Sequence, residues 1–406
     1  MTSFEMAYNY SQITGNNSSY SYDMYNDSDE IDLKLMERYL KNKGIDEPAY
    51  TALIVFYCFL IIMGALGNTL VIVSVVRKPA MRTPRNMFIF NLAVADLLLC
   101  TITMPLTLME ILTKYFPLGN NLFICKLIGI LQATSTYVST ISITAIALDR
   151  YQVIVYPTKE GLQLCGALLI LLLIWFVALA LAMPLFIVRH LVHHTIPLGT
   201  EYLNINFCIE NWPLEHGRAY YSIFSLIFQY TLPIIIVSAA YVRISYKLRY
   251  RFATGFVGGE DNQKSRRELR GRRLHRTNLL LGSIAVIFCV SWLPLNVFNL
   301  VADLSTNQSF TSQPMMICYA VCHMMGMSSA CSNPILYGCL NENFWKEFKD
   351  ILWCLESSAD NMGQLKKTSF KKSSQKVQKS KPDLVTGADY QLCNTVSTDM
   401  TVLTKC

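Results

Sequence analysis

The sequence predicts an all-α membrane protein, a bundle of seven transmembrane helices followed by a short amphipathic helix on the membrane surface. Three observations predict it. Of 406 residues, 52% are hydrophobic and only 16% charged, too apolar a balance for a soluble domain of that length. Apolar stretches run at about 52–76, 87–112, 122–148, 165–188, 220–242, 278–302 and 315–339, each reaching the ~20 residues that cross ~30 Å of hydrocarbon. Three of these spans also hold groups that lipid alone would reject. Asp96 lies inside the second, Asp149-Arg150-Tyr151 closes the third, and Asn333-Pro334-Ile335-Leu336-Tyr337 closes the seventh. A carboxylate at the bilayer centre costs roughly 3 kcal/mol on insertion scales, so it is retained for function or pairing. Barrel-type alternation is absent, which leaves a helical bundle.

Residues 1–49 form a polar, acidic tail without the apolar core of a cleavable signal. The first span is therefore expected to lead insertion. Arg77, Lys78, Arg82 and Arg85 lie between spans one and two, and a dense basic run from Lys247 to Arg276 lies between spans five and six. The positive-inside rule makes both loops cytoplasmic and the amino terminus extracellular. Sequons at Asn9, Asn16, Asn17, Asn26 and Asn307 all fall on the outer side, where glycosylation occurs. Most of the 13 cysteines lie in apolar spans and read as small packing residues. Cys125, at the outer start of span three, and Cys208, between spans four and five, share the oxidising side and are expected to form a disulfide.

The bundle is assigned to residues 50–340 and the surface helix to 341–356. Phe344, Phe348, Ile351, Leu352 and Leu355 recur there at helical spacing. Cys354 at its end is a palmitoylation candidate. Residues 357–406 read as an unstructured cytoplasmic tail. Thr395, Ser397, Thr398 and Thr401 form a cluster whose phosphorylation would recruit a basic partner such as an arrestin.

The outer half of the bundle carries Thr107, Gln132, Gln229, Asn299, Asp303 and His323 as its polar set. Trp292, Asn299 and Asp303 fall on one stripe of span six, running from hinge to mouth. Gln132, Gln229 and His323 each lie about ten residues inside their helices, roughly 15 Å deep. An acidic gate above an amide-rich floor suits a ligand with a guanidinium above and a neutral polar end below, because carboxylate–guanidinium pairing is strong and directional. A peptide ending in Arg-aromatic-amide meets that description. In span six, Pro294 removes a backbone hydrogen bond beside Trp292, with Phe288 one turn below, and supplies a hinge.

The motifs at Asp96, Asp149-Arg150-Tyr151, Trp292-Leu293-Pro294 and Asn333-Pro334 resemble the switch set of rhodopsin-like (class A) G-protein-coupled receptors. Gln132, Gln229, Asn299, Asp303 and His323, with Arg82-Thr83-Pro84-Arg85-Asn86, resemble the neuropeptide Y and neuropeptide F receptors within that family. The resemblance implies that Asp303 pairs with a peptide arginine and that Gln132 holds the amidated end. It implies a sodium ion at Asp96, Ser139, Ser329 and Asn333, inner-core hydrogen bonds by Tyr337 and Tyr241, and coupling to inhibitory (Gi/Go) G proteins. Arg150 is expected to pair with Asp149 at rest and to meet a partner once the bundle opens. Two departures stand out. Leu274 replaces the acid that locks Arg150 in many relatives, and Glu110 replaces a tyrosine near the mouth. The alternatives are a receptor for another Arg-aromatic-amide peptide (RYamide, short neuropeptide F or prolactin-releasing peptide) and, from another class, a transporter. No repeated halves support a transporter, and no catalytic motif marks an enzyme. No nucleic-acid partner is expected; the setting is the plasma membrane and its lipid.

Overall fold

A computed structural model of the chain describes residues 41–157, 162–198, 201–254, 261–305 and 312–353. The five sequons, Cys354, Leu355 and the Thr395–Thr401 cluster lie outside the described residues, as does the side chain of Leu274. Among those described, seven helices are long and apolar enough to cross a membrane: α1 (Ala49–Arg77), α2 (Pro84–Leu112), α3 (Leu122–Val155), α4 (Leu164–Val188), α5 (Gly217–Arg249), α6 (Gly282–Leu304) and α7 (Gln313–Leu340). The helix of α5 continues to Thr254, and that of α6 starts at Asp261. Residues 342–353 form an eighth helix, α8.

Hydrocarbon offers no hydrogen bonds, so each span closes its backbone bonds within itself and turns apolar side chains outward. Phe56, Phe59 and Leu66 on α1 and Leu169, Leu172 and Phe176 on α4 are all exposed on that outer face. Two prolines are absorbed by π turns. Leu99–Thr103 precedes Pro105 in α2, and Leu226–Thr231 precedes Pro233 in α5. Each proline leaves the carbonyl four residues earlier without a donor, and an extra residue in the turn relieves the clash. In the sequence the only signal of either turn is the proline itself.

Buried amides tie the helices together. Asn68 of α1 donates to Gly64 O at 2.9 Å and to Ala330 O of α7 at 3.0 Å. Asn91 of α2 donates to the Ser142 hydroxyl of α3 and accepts from the Trp175 indole of α4, at 2.9 and 2.8 Å. Close approach of α1 to α7 needs Gly67, since a Cβ there would sit 2.9 Å from the ring of Pro334.

The loop between α4 and α5 is a β-hairpin, a regularity the sequence reading does not anticipate. Strand β1 (Arg189–Leu198) pairs antiparallel with β2 (Glu201–Glu210), Leu191 opposite Cys208. Ile205, Phe207 and Ile209 alternate along β2 and bury one face against Tyr115 and Val192. The expected disulfide joins Cys125 at the head of α3 to Cys208. It fixes the hairpin across the outer end of the bundle.

Residues 41–48, expected as the end of a separate tail, are docked on the bundle. Asn42 accepts from the Lys114 and Tyr115 amides and donates to Tyr115 O, all near 3 Å. Gly44 N donates to Leu112 O at 2.7 Å, and Ile45 is fully buried. At the inner end, α8 also packs more closely than a helix merely lying on lipid. Phe344, Phe348 and Ile351 turn inward, with Phe344 against Tyr337, whereas Trp345, Leu352 and Trp353 face outward. Lys78 of the first inner loop pairs with the buried Glu347 of α8.

Gly67→Ala is expected to destabilise the bundle by about 1–3 kcal/mol through overpacking against a ring that cannot rotate away. Thermal unfolding in detergent measures it, and a melting temperature equal to wild type would contradict the close-approach argument.

Candidate ligand cavity and transmission core

An open cavity of about 340 Å³ lies between the outer halves of the helices, beneath the hairpin. Thr107, Glu110, Gln132, Gln229, Trp292, Asn299 and Asp303 line it. Six of the seven residues proposed from the sequence for ligand contact thus share one cavity. The exception is His323, which is fully buried behind Gln132 and does not line it.

The floor is a hydrogen-bonded relay. Thr107 donates to Gln132 Oε1 at 2.9 Å, which leaves the Gln132 amide NH2 facing His323 Nε2 at 3.2 Å. His323 Nε2 is then the acceptor, and its Nδ1–H donates to Tyr57 Oη at 2.9 Å. Four helices meet in that line: α2, α3, α7 and α1. His323 positions Gln132 from behind. On the opposite wall, Tyr137 donates to Ser225 at 3.2 Å and Ser225 to Gln229 Oε1 at 2.8 Å.

The rim is charged, and its acids are already engaged. Asp303 accepts from Arg218 Nε at 2.5 Å and from the Ser222 hydroxyl. Arg218 Nη1 also meets Glu210 Oε2 at 2.9 Å, and the Trp212 indole donates to the same oxygen at 3.0 Å. Arg189 Nη1 lies 3.3 Å from Glu110, and its Nε lies 3.9 Å from Glu210. Glycine at 129 leaves room for Arg189 over α3: a Cβ there would sit 2.7 Å from its Nε, and the long side chain would have to shift. Burial would raise the Glu210 carboxyl, but Arg218 and Arg189 outweigh it and hold it down to about 2, against an ordinary 4.5.

Beneath the cavity lies the segment expected as a hinge. Trp292 packs tilted against Phe288, centroids 5.8 Å apart, and its indole donates to Ser329 Oγ at 3.0 Å. The helix runs unbroken through Pro294. Side chains add bonds to carbonyls on either side of it: Tyr230 donates to Cys289 O at 2.8 Å and Asn296 to Trp292 O at 2.9 Å. Further in, Asp96 accepts from Ser139 at 3.1 Å and from Asn333 at 2.7 Å, which binds α2, α3 and α7. Ser329 reaches Trp292 and Gly326 O rather than Asp96. At the inner end Arg150 Nε donates to Asp149 at 3.0 Å, the resting pair expected from the sequence. Tyr151 lies edge-on to Tyr156. Tyr337 is buried with its hydroxyl unpartnered, and Tyr241 packs against Ile154, Ile244 and Leu248.

Residues 67–337 match the model of the 7 transmembrane receptor (rhodopsin family). The chain is 55% identical to the Neuropeptide F receptor of Drosophila melanogaster over 326 residues, 79% of this chain and 66% of that protein. It is 37% identical to the Putative neuropeptide Y receptor 11 of Caenorhabditis elegans over 301 residues, 73% of each chain. It is also 37% identical to the human Neuropeptide Y receptor type 2 over 305 residues, 74% of this chain and 76% of that one. The chain belongs to the rhodopsin family of G-protein-coupled receptors, in its neuropeptide Y and F branch. The receptor is a multi-pass membrane protein and not an enzyme. Its match to the Drosophila protein spans just under two thirds of that protein's length.

Sequence reasoning missed five residues of the receptor's cavity: Arg189, Glu210, Arg218, Ser222 and Gly129. Four lie on or beside the hairpin and its exit into α5, where no helical stripe aligns them. The one signal available was charge, since Arg189, Glu210 and Arg218 flank apolar segments in an otherwise sparsely charged stretch.

The Glu210 carboxyl has a depressed value, so its stabilisation is complete above about 4.5 and lost as the pH falls through about 2. The melting-temperature advantage of wild type over Glu210→Gln is therefore expected to stay flat from about pH 7 to about pH 5 and to shrink only in stronger acid. A decline already under way across that neutral range would place the stabilising charge elsewhere.

Proposed function

We propose that the receptor binds an amidated neuropeptide of the neuropeptide F or Y type at the plasma membrane, with its amino terminus outside, and signals to an inhibitory Gi/Go heterotrimer. The observation that carries this reading is the shared cavity of Asp303, Asn299, Gln132 and Gln229, a carboxylate at the mouth above amides deeper in. A peptide arginine meets Asp303 at the mouth. The amidated end, uncharged and able both to donate and to accept, meets Gln132 and Asn299. The 55% identity to a protein named for neuropeptide F supports the peptide class. RYamide, short neuropeptide F and prolactin-releasing peptides remain the alternatives within it.

Binding against α6 repacks Trp292 and biases that helix about Pro294. Arg150 then leaves Asp149 for the G protein, and Tyr337, whose hydroxyl has no partner at rest, gains one. The coupling is reciprocal, so the G protein tightens peptide binding by the same factor. Of the set proposed for a sodium ion, the Asp96 carboxylate and the Ser139 hydroxyl offer oxygens that suit a hard cation, whereas Asn333 turns its amide NH2 to Asp96 and Ser329 turns to Trp292 and Gly326, so both would have to reorient to complete the site. A sodium ion held there would supply a positive charge favouring the resting arrangement. Glycans on Asn9, Asn16, Asn17, Asn26 and Asn307, a palmitoyl group on Cys354 and arrestin recruitment to the phosphorylated tail complete the proposal.

G-protein activation in transfected cells, across a panel of amidated peptides, tests it. Peptides ending in Arg-Phe-amide or Arg-Tyr-amide are expected to act on wild type, and Asp303→Ala to lose roughly 10- to 100-fold in potency, the worth of one charged hydrogen bond. Silence to the whole panel at normal surface expression would sink the peptide assignment. A response that survives block of inhibitory G proteins would sink the coupling.

A further inference from the structure

The rim carries its own guanidinium on the acid assigned to the ligand. Asp303, whose side chain is 6% exposed, has both oxygens held: one by Arg218 Nε and the other by the Ser222 hydroxyl. Arg218 spans two carboxylates, since its Nη1 rests on Glu210. Beyond Glu210 the pattern continues through Arg189 to Glu110. The line runs acid, base, acid, base, acid from α6 across the hairpin to α2, with three carboxylates against two guanidiniums. Lys114 lines the same cavity but forms no ion pair with these acids. The cluster is therefore short of one cation.

We propose that Arg218 is a specificity-determining residue, a resident guanidinium on Asp303 that an incoming peptide arginine replaces. The inference rests on the reading that Asp303 meets the ligand's cation. The exchange strands no charge, because Arg218 displaced from Asp303 keeps its bond to Glu210, and the newcomer supplies the missing cation. It also sets a demand on the newcomer. A group that displaces both Arg218 and the Ser222 hydroxyl has to satisfy two oxygens at once. A planar guanidinium fork does so, whereas a lysine ammonium is a point charge and does not. Without Arg218, Asp303 would be an uncompensated, nearly buried carboxylate that any cation relieves.

Competition binding on membranes from cells expressing the full-length receptor tests this. The probes are synthetic peptides ending in Arg-Phe-amide, Lys-Phe-amide and citrulline-Phe-amide, the last an uncharged near-isostere of arginine. Arg218→Gln is expected to raise affinity for the arginine peptide roughly tenfold, and for the lysine peptide by more, as removal of a charged competitor implies. The arginine-over-lysine ratio then falls, while the citrulline peptide is unmoved. An unchanged ratio with unchanged or weaker arginine-peptide binding, at normal surface expression, overturns the proposal. Ser222→Ala, which strips the other hold on Asp303, should move the ratio the same way by a smaller factor and serves if Arg218→Gln fails to reach the surface. Asp303→Asn separates the two levels. If it leaves the arginine-over-citrulline preference intact, the ligand site itself is misassigned, and the role of Arg218 falls with it.

Discussion

Asp96 is the interaction on which the rest of the bundle depends. A carboxylate in hydrocarbon has no water to fall back on, so its position dictates what neighbouring helices must present. Ser139 and Asn333 answer it from α3 and α7, and the register of three helices is fixed by that one group. Asn68 and Asn91 extend the arrangement to α1 and α4, each through an amide that bonds in two directions. Apolar packing against lipid is nearly indifferent to rotation of a helix about its axis. These polar contacts are not, which is why they set the orientation of the cavity walls above.

A different logic governs the outer end. There the disulfide and the hairpin bring charges over the mouth that no transmembrane span could carry, and alternate signs keep each one compensated. Asp96, deep in the bundle, sits among neutral donors, whereas the rim holds five charges in a row. A ligand entering between them meets a row of charges already paired with one another, three carboxylates to two guanidiniums. On the proposed reading its recognition is a substitution within that network, which ties affinity to the partners of the exchanged groups, such as Arg189, as well as to the groups themselves.

Much of the fold was legible in the sequence because lipid penalises polarity so heavily. Asp96, Arg150 and Asn333 stood out in apolar surroundings, and charge asymmetry between loops suggested an orientation. Of the residues proposed for ligand contact, Asn299 and Asp303 could be placed by counting from Trp292, and Gln132 and Gln229 by depth from their helix ends. His323 could not, since depth along a helix says nothing of which side its ring faces. The hairpin escaped notice although Ile205, Phe207 and Ile209 alternate plainly, because the segment was weighed only as a connection between spans. Gly129 carried no signal at all: its meaning depends on Arg189, sixty residues away, lying across it. The rim's ion pairs are long-range facts of the same kind.

The π turn at Leu99–Thr103 gives α2 one residue more than a regular helix would need there. At 3.6 residues per turn, that surplus residue rotates everything beyond it by about 100°. Thr107 and Glu110 face the cavity by virtue of that rotation. Deleting a single codon within the turn would leave α2 helical with an ordinary proline kink at Pro105, yet would swing both side chains away from their partners. Lineages in which this stretch gains or loses one residue would thus redraw the mouth of the cavity in one genetic step, with the membrane anchorage of the helix preserved.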